Sequence, residues 1–446
     1  MGSRSITQTE PGNCPRQHPH ATREGIGLCL STNVADSGSM KVSSANPASL
    51  HSSTRSRALP RNVAFWVVAS SAAILLAASS APSPLYAVYR AEFGFSAFTL
   101  TVIFAVYVFA LMASLLTVGR LSDYVGRRAV LAGALLVEAG AMALFLVADG
   151  VGWLLIARTV QGFATGAALG ALGAYLIDLQ PSDRSRLGSL LNSVAPTLGL
   201  GVGATVTGLL VQYAPYPTRL IFAILTVLFV GLALTMMVLP ETVTRRHGAV
   251  ASLRPEVAVP RRASRAFASA VPTMVSTWAL GGLNLSVGGL LLVAVLGQTN
   301  QALVGLEIGL FPFSAAIAAV LARNLPPRLM ARAGGWALAV GVGAFLVALG
   351  IASIYVFVLA AVIAGAGFGC GFLGALRSVS QLAEPNERAA LLSAVFVVSY
   401  LAFSIPALVA GVLVTHIGLL HTSLAYAGVV LVIAVGALVF EGRAGR

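Results

Sequence analysis

The chain has 446 residues, 57% hydrophobic and 10% charged, with a formal net charge of +13. Soluble domains carry roughly 25% charged residues, so the composition excludes a cytosolic enzyme, a secreted domain and a nucleic-acid binder. The mean hydropathy is +0.87, and at about 20 apolar residues per crossing helix most of the chain belongs in a membrane.

Residues 1–61 form a polar tail rich in Ser, Thr, Asn, Pro and Arg, which cannot bury a core and is expected to be disordered. Its longest apolar stretch, Ile26 to Leu30, is too short for the apolar region of a signal peptide. Met40 is a candidate for the true start. Apolar runs follow at 63–88, 98–118, 129–147, 152–177, 188–213 and 219–239. Past a basic stretch come 268–297, 302–322, 335–351, 354–379, 389–415 and 420–440. The expected fold is an all-α membrane protein of twelve transmembrane helices. They form two pseudo-symmetric six-helix bundles, 62–240 and 268–442, joined by a basic linker at 241–267 and followed by a short tail at 443–446.

An internal repeat supports the division. Gly162, Gly166 and then Pro181-Ser182-Asp183-Arg184, around the fourth run, recur as Gly367, Gly371 and Pro385-Asn386-Glu387-Arg388 around the tenth, at offsets of 205 and 204 residues. Such repeats place a substrate site at their interface near mid-membrane. Arginine sets the orientation. With the N-terminus inside, the inner segments beyond the tail hold seventeen arginines, and the outer loops hold only Arg90 and Arg219. The positive-inside rule then puts both termini in the cytoplasm.

The loop between the second and third runs reads Gly119-Arg120-Leu121-Ser122-Asp123-Tyr124-Val125-Gly126-Arg127-Arg128. Gly119 permits close helix approach. Asp123, at a helix end, accepts backbone N–H groups or pairs with arginine. The loop resembles the G-x-L-x-D-x-x-G-R-R signature of the major facilitator superfamily, and the resemblance, with the twelve runs and the repeat, covers about residues 62–442. It implies a loop that clasps the two halves on the cytoplasmic side and releases for inward opening. A solvated basic loop that only sets topology is the alternative. The corresponding second-half loop keeps Arg323, Arg328, Arg332 and Gly334 but has no carboxylate.

The fourth run carries Arg158-Thr159-Val160-Gln161-Gly162, which resembles the superfamily's R-x-x-Q-G motif. Arg158, Gln161 and Thr165 share one helical face. A charge at membrane depth costs about 2.5–3.5 kcal/mol on insertion scales, so Arg158 faces a cavity or a partner unless it snorkels to the outer headgroups. By resemblance it tunes proton coupling. Glu138, midway along the third run, either pairs with Arg158 or carries the proton, and Glu307 in the eighth run is the rival carrier. Arg377, near the inner end of the tenth run, either binds an anion or anchors its helix.

The fifth run has Asn192, Pro196, Gly199, Gly203 and Thr207 on one face. It is similar in part to the exporters' G-x-x-x-G-P-x-x-G-G motif, matching at Gly199, Gly203 and Gly208, with Ala204 in place of the motif's proline. Ordinary small-residue packing is the alternative. Further cavity candidates are Tyr107, Trp278, Asn284 and Tyr400. Pro82 and Pro84 are expected to break the first run near its outer end.

No histidine neighbours a nucleophile or a metal set, and Cys14, Cys29 and Cys370 lack metal-ligand spacing. Lys41 is the only lysine and lies in no P-loop. No metal, cofactor or ATP-driven step is therefore expected. The resemblance implies a monomeric secondary transporter of a bacterial cytoplasmic membrane, whose partners are a small-molecule substrate, protons and the lipid bilayer, without nucleic acid. Proton-coupled export of a drug-like or secondary-metabolite molecule is the leading expectation. The alternative is proton-coupled uptake of a small nutrient such as an organic acid or a sugar.

Overall fold

The computed structural model describes residues 59–182, 187–384 and 387–444, with the backbone alone for 440–444. The tail at 1–58 (including Cys14, Cys29, Met40 and Lys41), Asp183, Arg184, Arg186, Pro385, Asn386, Arg446 and the Arg443 side chain lie outside the described residues. Every regular element among the described residues is helical.

The first span is α1 (Arg61–Ser80) with α2 (Pro82–Phe93), and the second is α3 (Ala97–Val118). A short α4 (Ser122–Val125) lies in the signature loop. Spans three to six are α5 (Arg127–Leu146), α6 (Val151–Leu179), α7 (Leu187–Tyr213) and α8 (Leu220–Met236). The seventh combines α9 (Ser264–Leu283), a π-helical turn at Asn284–Gly288 and α10 (Gly289–Ala294). Then come α11 (Gln301–Leu321), α12 (Pro327–Gly350), α13 (Ile354–Ser380) and the long α14 (Arg388–Ala444). Gly418 breaks α14 with φ 79° and ψ 165°, a corner that glycine tolerates.

Among the described residues, ten helices are long and apolar enough to cross a membrane. α8 is apolar but has only 17 residues, and Gly418 divides the last of the ten; counting both brings the number to twelve. Three bounds depart from the apolar runs. The first span continues to Phe93, where Gly94 ends it at φ 67°. The helix is interrupted at Ala81, between α1 and α2, where Pro82 and Pro84 lack the N–H groups of a continuous ladder, but the Ala81 backbone keeps helical angles, so the first span runs on without turning aside. α12 starts at Pro327 rather than 335, because proline is preset for a first helical position; Arg328 and Arg332 therefore belong to its first turns.

Within the first half α6 packs on α3 and α5, α5 on α8, and α7 on α1. Within the second, α13 packs on α12 and α11, and α14 on α9. The halves meet through α7 on α11 and α3 on α14. Glycines set these approaches. A Cβ on Gly162 or Gly166 would lie 2.2 or 2.3 Å from the Tyr107 or Leu111 carbonyl oxygen of α3. In the second half Gly365 and Gly369 hold the same relation to Phe311 and Ala315 of α11, at 2.2 and 2.1 Å. The structural repeat thus pairs Gly162 with Gly365, an offset of 203 residues, while the sequence motif paired it with Gly367. Gly367 and Gly371 face α12 instead.

At the end away from the signature loop the halves touch backbone to backbone. A Cβ on Gly305 would lie 2.5 Å from the Ala204 carbonyl oxygen and 2.7 Å from the Gly208 Cα. Gly411 sits against the Thr101 side chain, where a Cβ would lie 2.0 Å from Oγ1. At the signature-loop end, the linker connects the halves: Arg120 pairs with Glu256 at 2.6 Å, and the Ala258 N–H donates to the Ala390 carbonyl at 3.3 Å.

Candidate functional site

The signature loop folds around two carboxylates. Gly126 adopts φ 111°, and a Cβ there would lie 2.8 Å from Glu241 Oε2. The absence of a side chain lets the Glu241 carboxylate cap α5, accepting the Arg127 and Arg128 N–H groups at 2.9 and 3.2 Å. A negative charge is favourable at that helix end. The Arg127 side chain is buried, pairs with Asp123 and with Asp178 at 3.2 Å, and donates to Ser122 Oγ at 2.6 Å. Arg128 donates to the Met236 and Met237 carbonyls, closing the C-terminus of α8. The loop therefore ties the ends of α5, α6 and α8 together. The polar contacts described for it reach the linker, through Arg120 to Glu256, through the Tyr124 carbonyl, which accepts the Arg246 N–H, and through Glu241, and not spans seven to twelve.

Deep in the first half lies a polar network. Arg158 is 1% exposed. Its guanidinium donates to Tyr86 Oη at 3.0 Å, to the Ser79 carbonyl at 3.0 Å and to Gln161 Oε1 at 2.8 Å. It also lies over the Tyr107 ring, 5.0 Å from its centroid. Gln161 Nε2 then donates to the Ala78 carbonyl at 3.0 Å and to Glu138 Oε1 at 3.3 Å. Thr165 Oγ1 donates to Glu138 Oε2 at 3.3 Å. Pro82 prepares this site, because it lacks the N–H that would otherwise bond the Ala78 carbonyl four residues back, leaving that carbonyl free for Gln161. Arg158 and Glu138 are thus joined through Gln161 rather than as a direct ion pair.

The second half contributes an aromatic cage. The Trp278 ring stands 5.7 Å from Phe368, 5.3 Å from Phe372, 5.2 Å from Tyr400 and 5.5 Å from Phe403. Phe403 meets Phe104 of the first half at 5.1 Å, so the cage sits at the junction of the halves. Trp278 is half-buried, and its Nε1–H is buried without a protein acceptor.

The family model for the Major Facilitator Superfamily matches residues 68–338. The chain belongs to this superfamily. Over 140 residues it is 29% identical to an uncharacterized transporter of Rickettsia bellii (strain RML369-C), covering 31% of this chain and 34% of that protein. The matched region is thus about a third of that curated relative's length. Two solved structures share the fold. A mutant of the nucleoside transporter NupG has a TM-score of 0.65 at 14% identity, covering 85% of this chain and 99% of NupG. The human organic anion transporter MFSD10 (TETRAN) has a TM-score of 0.60 at 18% identity, covering 85% of this chain and 100% of its own.

Several expected cavity residues of this facilitator lie elsewhere. Tyr107, Gln161 and Thr165 are buried within the Arg158 network. Arg377 donates to the Arg323 carbonyl at 2.9 Å, where a cation suits the last turn of α11; it anchors a helix end rather than lining the cage. Asn192 is exposed beside Gly173 of α6. Asn284 and Glu307 line a separate cavity within the second half. Gly199 and Gly203 pack on the Ala73 and Ala77 carbonyls of α1, and Gly208 packs on α11, with Pro196 in the same helix. Of the pair left open for this face, the structure shows close packing.

Sequence reading missed Glu241 and Glu256 of the linker. It also missed Phe368 and Phe372, four residues apart on α13, although that spacing places both rings on one face. It read Tyr86 only as part of the proline break.

Proposed function

We propose that this facilitator is a proton-coupled exporter of small, apolar, aromatic molecules. It works by alternating access as a monomer in a bacterial cytoplasmic membrane, with both termini and the signature loop on the cytoplasmic side. The observation that carries the reading is the Trp278 cage at the junction of the halves, with one buried, unpartnered N–H available to a cargo's acceptor atom. Four rings bind a planar apolar ring by stacking and edge contacts. Anion uptake needs a free cation in the cavity, and both candidates are otherwise engaged: Arg158 by Tyr86, Ser79 and Gln161, Arg377 by the end of α11. The fold shared with a nucleoside and an organic anion transporter does not choose the cargo.

On this reading the glycine contacts close the outer end in this conformation. The bundles 62–240 and 268–442 would rock about the cage to expose it outward. The test compares metabolites in cells and medium for the wild type, for Trp278→Ala and for cells lacking the protein. Export predicts an aromatic compound that accumulates outside only with the wild type. Depletion of a compound from the medium, with gain inside, would identify an importer and overturn the reading.

A further inference from the structure

The second half contains a cavity of about 30 Å³ among the seventh, eighth, ninth and tenth spans. Its polar wall is Glu307 and Asn284; the rest is leucine, phenylalanine, alanine and glycine. Glu307 is 2% exposed, and both its carboxylate oxygens, like Asn284 Oδ1, are buried without a protein hydrogen-bond partner. A buried polar group is normally paired, so three unpaired oxygens on one small cavity point to something that binds there.

The repeat explains the space. At the structural offset of 203 residues, Arg158 and Gln161 of α6 correspond to Ala361 and Ala364 of α13, and both alanines line the cavity. Tyr107 corresponds to Phe311, also on its wall. The first half fills this place with a permanent cation near its buried carboxylate. The second half has two methyl groups and a cavity beside its own.

We propose that Glu307 and Asn284 form an exchangeable proton site, in which a proton on Glu307 takes the part that the Arg158 charge takes for Glu138. This rests on the transport reading above and names its coupling residue. An ionised carboxylate against an apolar wall without a partner is strongly disfavoured, whereas the protonated acid needs one acceptor. Asn284 Oδ1 supplies it, directly or through a water, since a water needs only about 10–15 Å³. A metal cation fits less well, because hard cations gather about six oxygen ligands and the side chains here offer three. The π-helical turn that begins at Asn284 puts an irregular, deformable stretch in the same wall. The proton comes from water and returns to it when rocking opens the cavity, and no other bond changes.

Charged and titratable groups on the elements packed against α11 stand clear of the site. α7 carries Tyr213, α13 carries Tyr355, Cys370 and Arg377, the turn at Ala322–Asn324 carries Arg323, and α2 carries Tyr86, Tyr89, Arg90 and Glu92. None of them lines the cavity.

Infrared spectra of the full chain in liposomes, taken across a pH series, test the site without any substrate. The expected result is a protonated-carboxyl band at neutral pH that is lost in Glu307→Gln, kept in Glu138→Gln and shifted in Asn284→Leu. A band that survives Glu307→Gln, or no band in the wild type, overturns the proposal. Removal of the band by sodium at constant pH overturns it in favour of a metal cation. If Glu307→Gln does not fold, an unshifted band in folded Asn284→Leu is decisive against it. Because the readout needs no transport, the site can fail while the exporter reading stands, and the reverse.

Discussion

A side-chain amide has an acceptor oxygen and two donor hydrogens, and Gln161 uses all three. The oxygen takes the Arg158 guanidinium, and the nitrogen serves the Ala78 carbonyl and Glu138. One neutral side chain thereby lets a buried cation and a buried carboxylate share a bundle without touching. Replacing it by leucine keeps the bulk and strands partners on both charged groups. Breaking a buried charge network in this way costs about 3–5 kcal/mol. Gln161→Leu should therefore lower the thermal unfolding midpoint of the detergent-purified protein well below that of an exposed control such as Thr159→Val. Equal midpoints would show that the network contributes nothing to stability. Arg158, Gln161 and Thr165 were legible from their spacing, because three polar residues on one face of an apolar helix need partners. The partners were not legible. Tyr86 and the Ala78 and Ser79 carbonyls lie about 80 residues away, and the packing of the first span on α6 brings them near.

Helix bounds were readable to within a few residues where an apolar run ends in polar residues. They failed at α12, where proline and arginine sit inside the first turns, and at the first span, which continues past its interruption at Ala81 to Phe93. The repeat was readable as a duplication, but its register was not. Gly365, Gly367, Gly369 and Gly371 alternate along α13, and packing alone shows that one pair faces α11 and the other α12. The same kind of contact closes the far end of the molecule, where α7 crosses α11 at Gly208 and Gly305. The neighbouring atoms there are backbone, which cannot turn aside as a flexible side chain can. A leucine at 305 must separate the helices, and overpacking of this sort costs about 1–3 kcal/mol. That cost falls on the conformation in which these ends touch and not on one in which they are apart. Gly305→Leu should thus shift the population toward opening at this end. Spin labels at Tyr213 and Thr299, in a cysteine-free background, should report a longer mean distance in the variant. An unchanged distribution in a folded variant would refute the gating role of this crossing.

Across the whole molecule the two halves are held at opposite ends by different physics. The far end is joined by close glycine packing and by one uncharged hydrogen bond, from the Gln301 N–H to Gln212 Oε1 at 2.8 Å, neither of which depends much on ionic strength. The signature-loop end is joined through the linker by exposed charges. Arg120 holds Glu256 on one side, and on the other Arg262, at the start of the seventh span, holds Glu384 and Glu387 before α14. Exposed pairs of this kind contribute little each and weaken with salt, which suits a tether that must yield when the halves rock. The Arg262 guanidinium holds the Glu384 carboxyl below the usual carboxylate range. The pairing is therefore complete above the unfolded glutamate value of about 4.3 and is lost as the pH falls through the depressed folded value. Between pH 6 and 8 it should not vary, so the Arg262 pairing supplies no pH response of transport in that window. Hydrogen exchange of the linker should stay flat from pH 6 to 8 once intrinsic rates are corrected, and rise with added salt. Arg262→Ala should give at low salt the faster exchange that the wild type reaches only at high salt. Salt-independent exchange in the wild type would place the strength of this tether in the backbone bond from Ala258 to Ala390 instead.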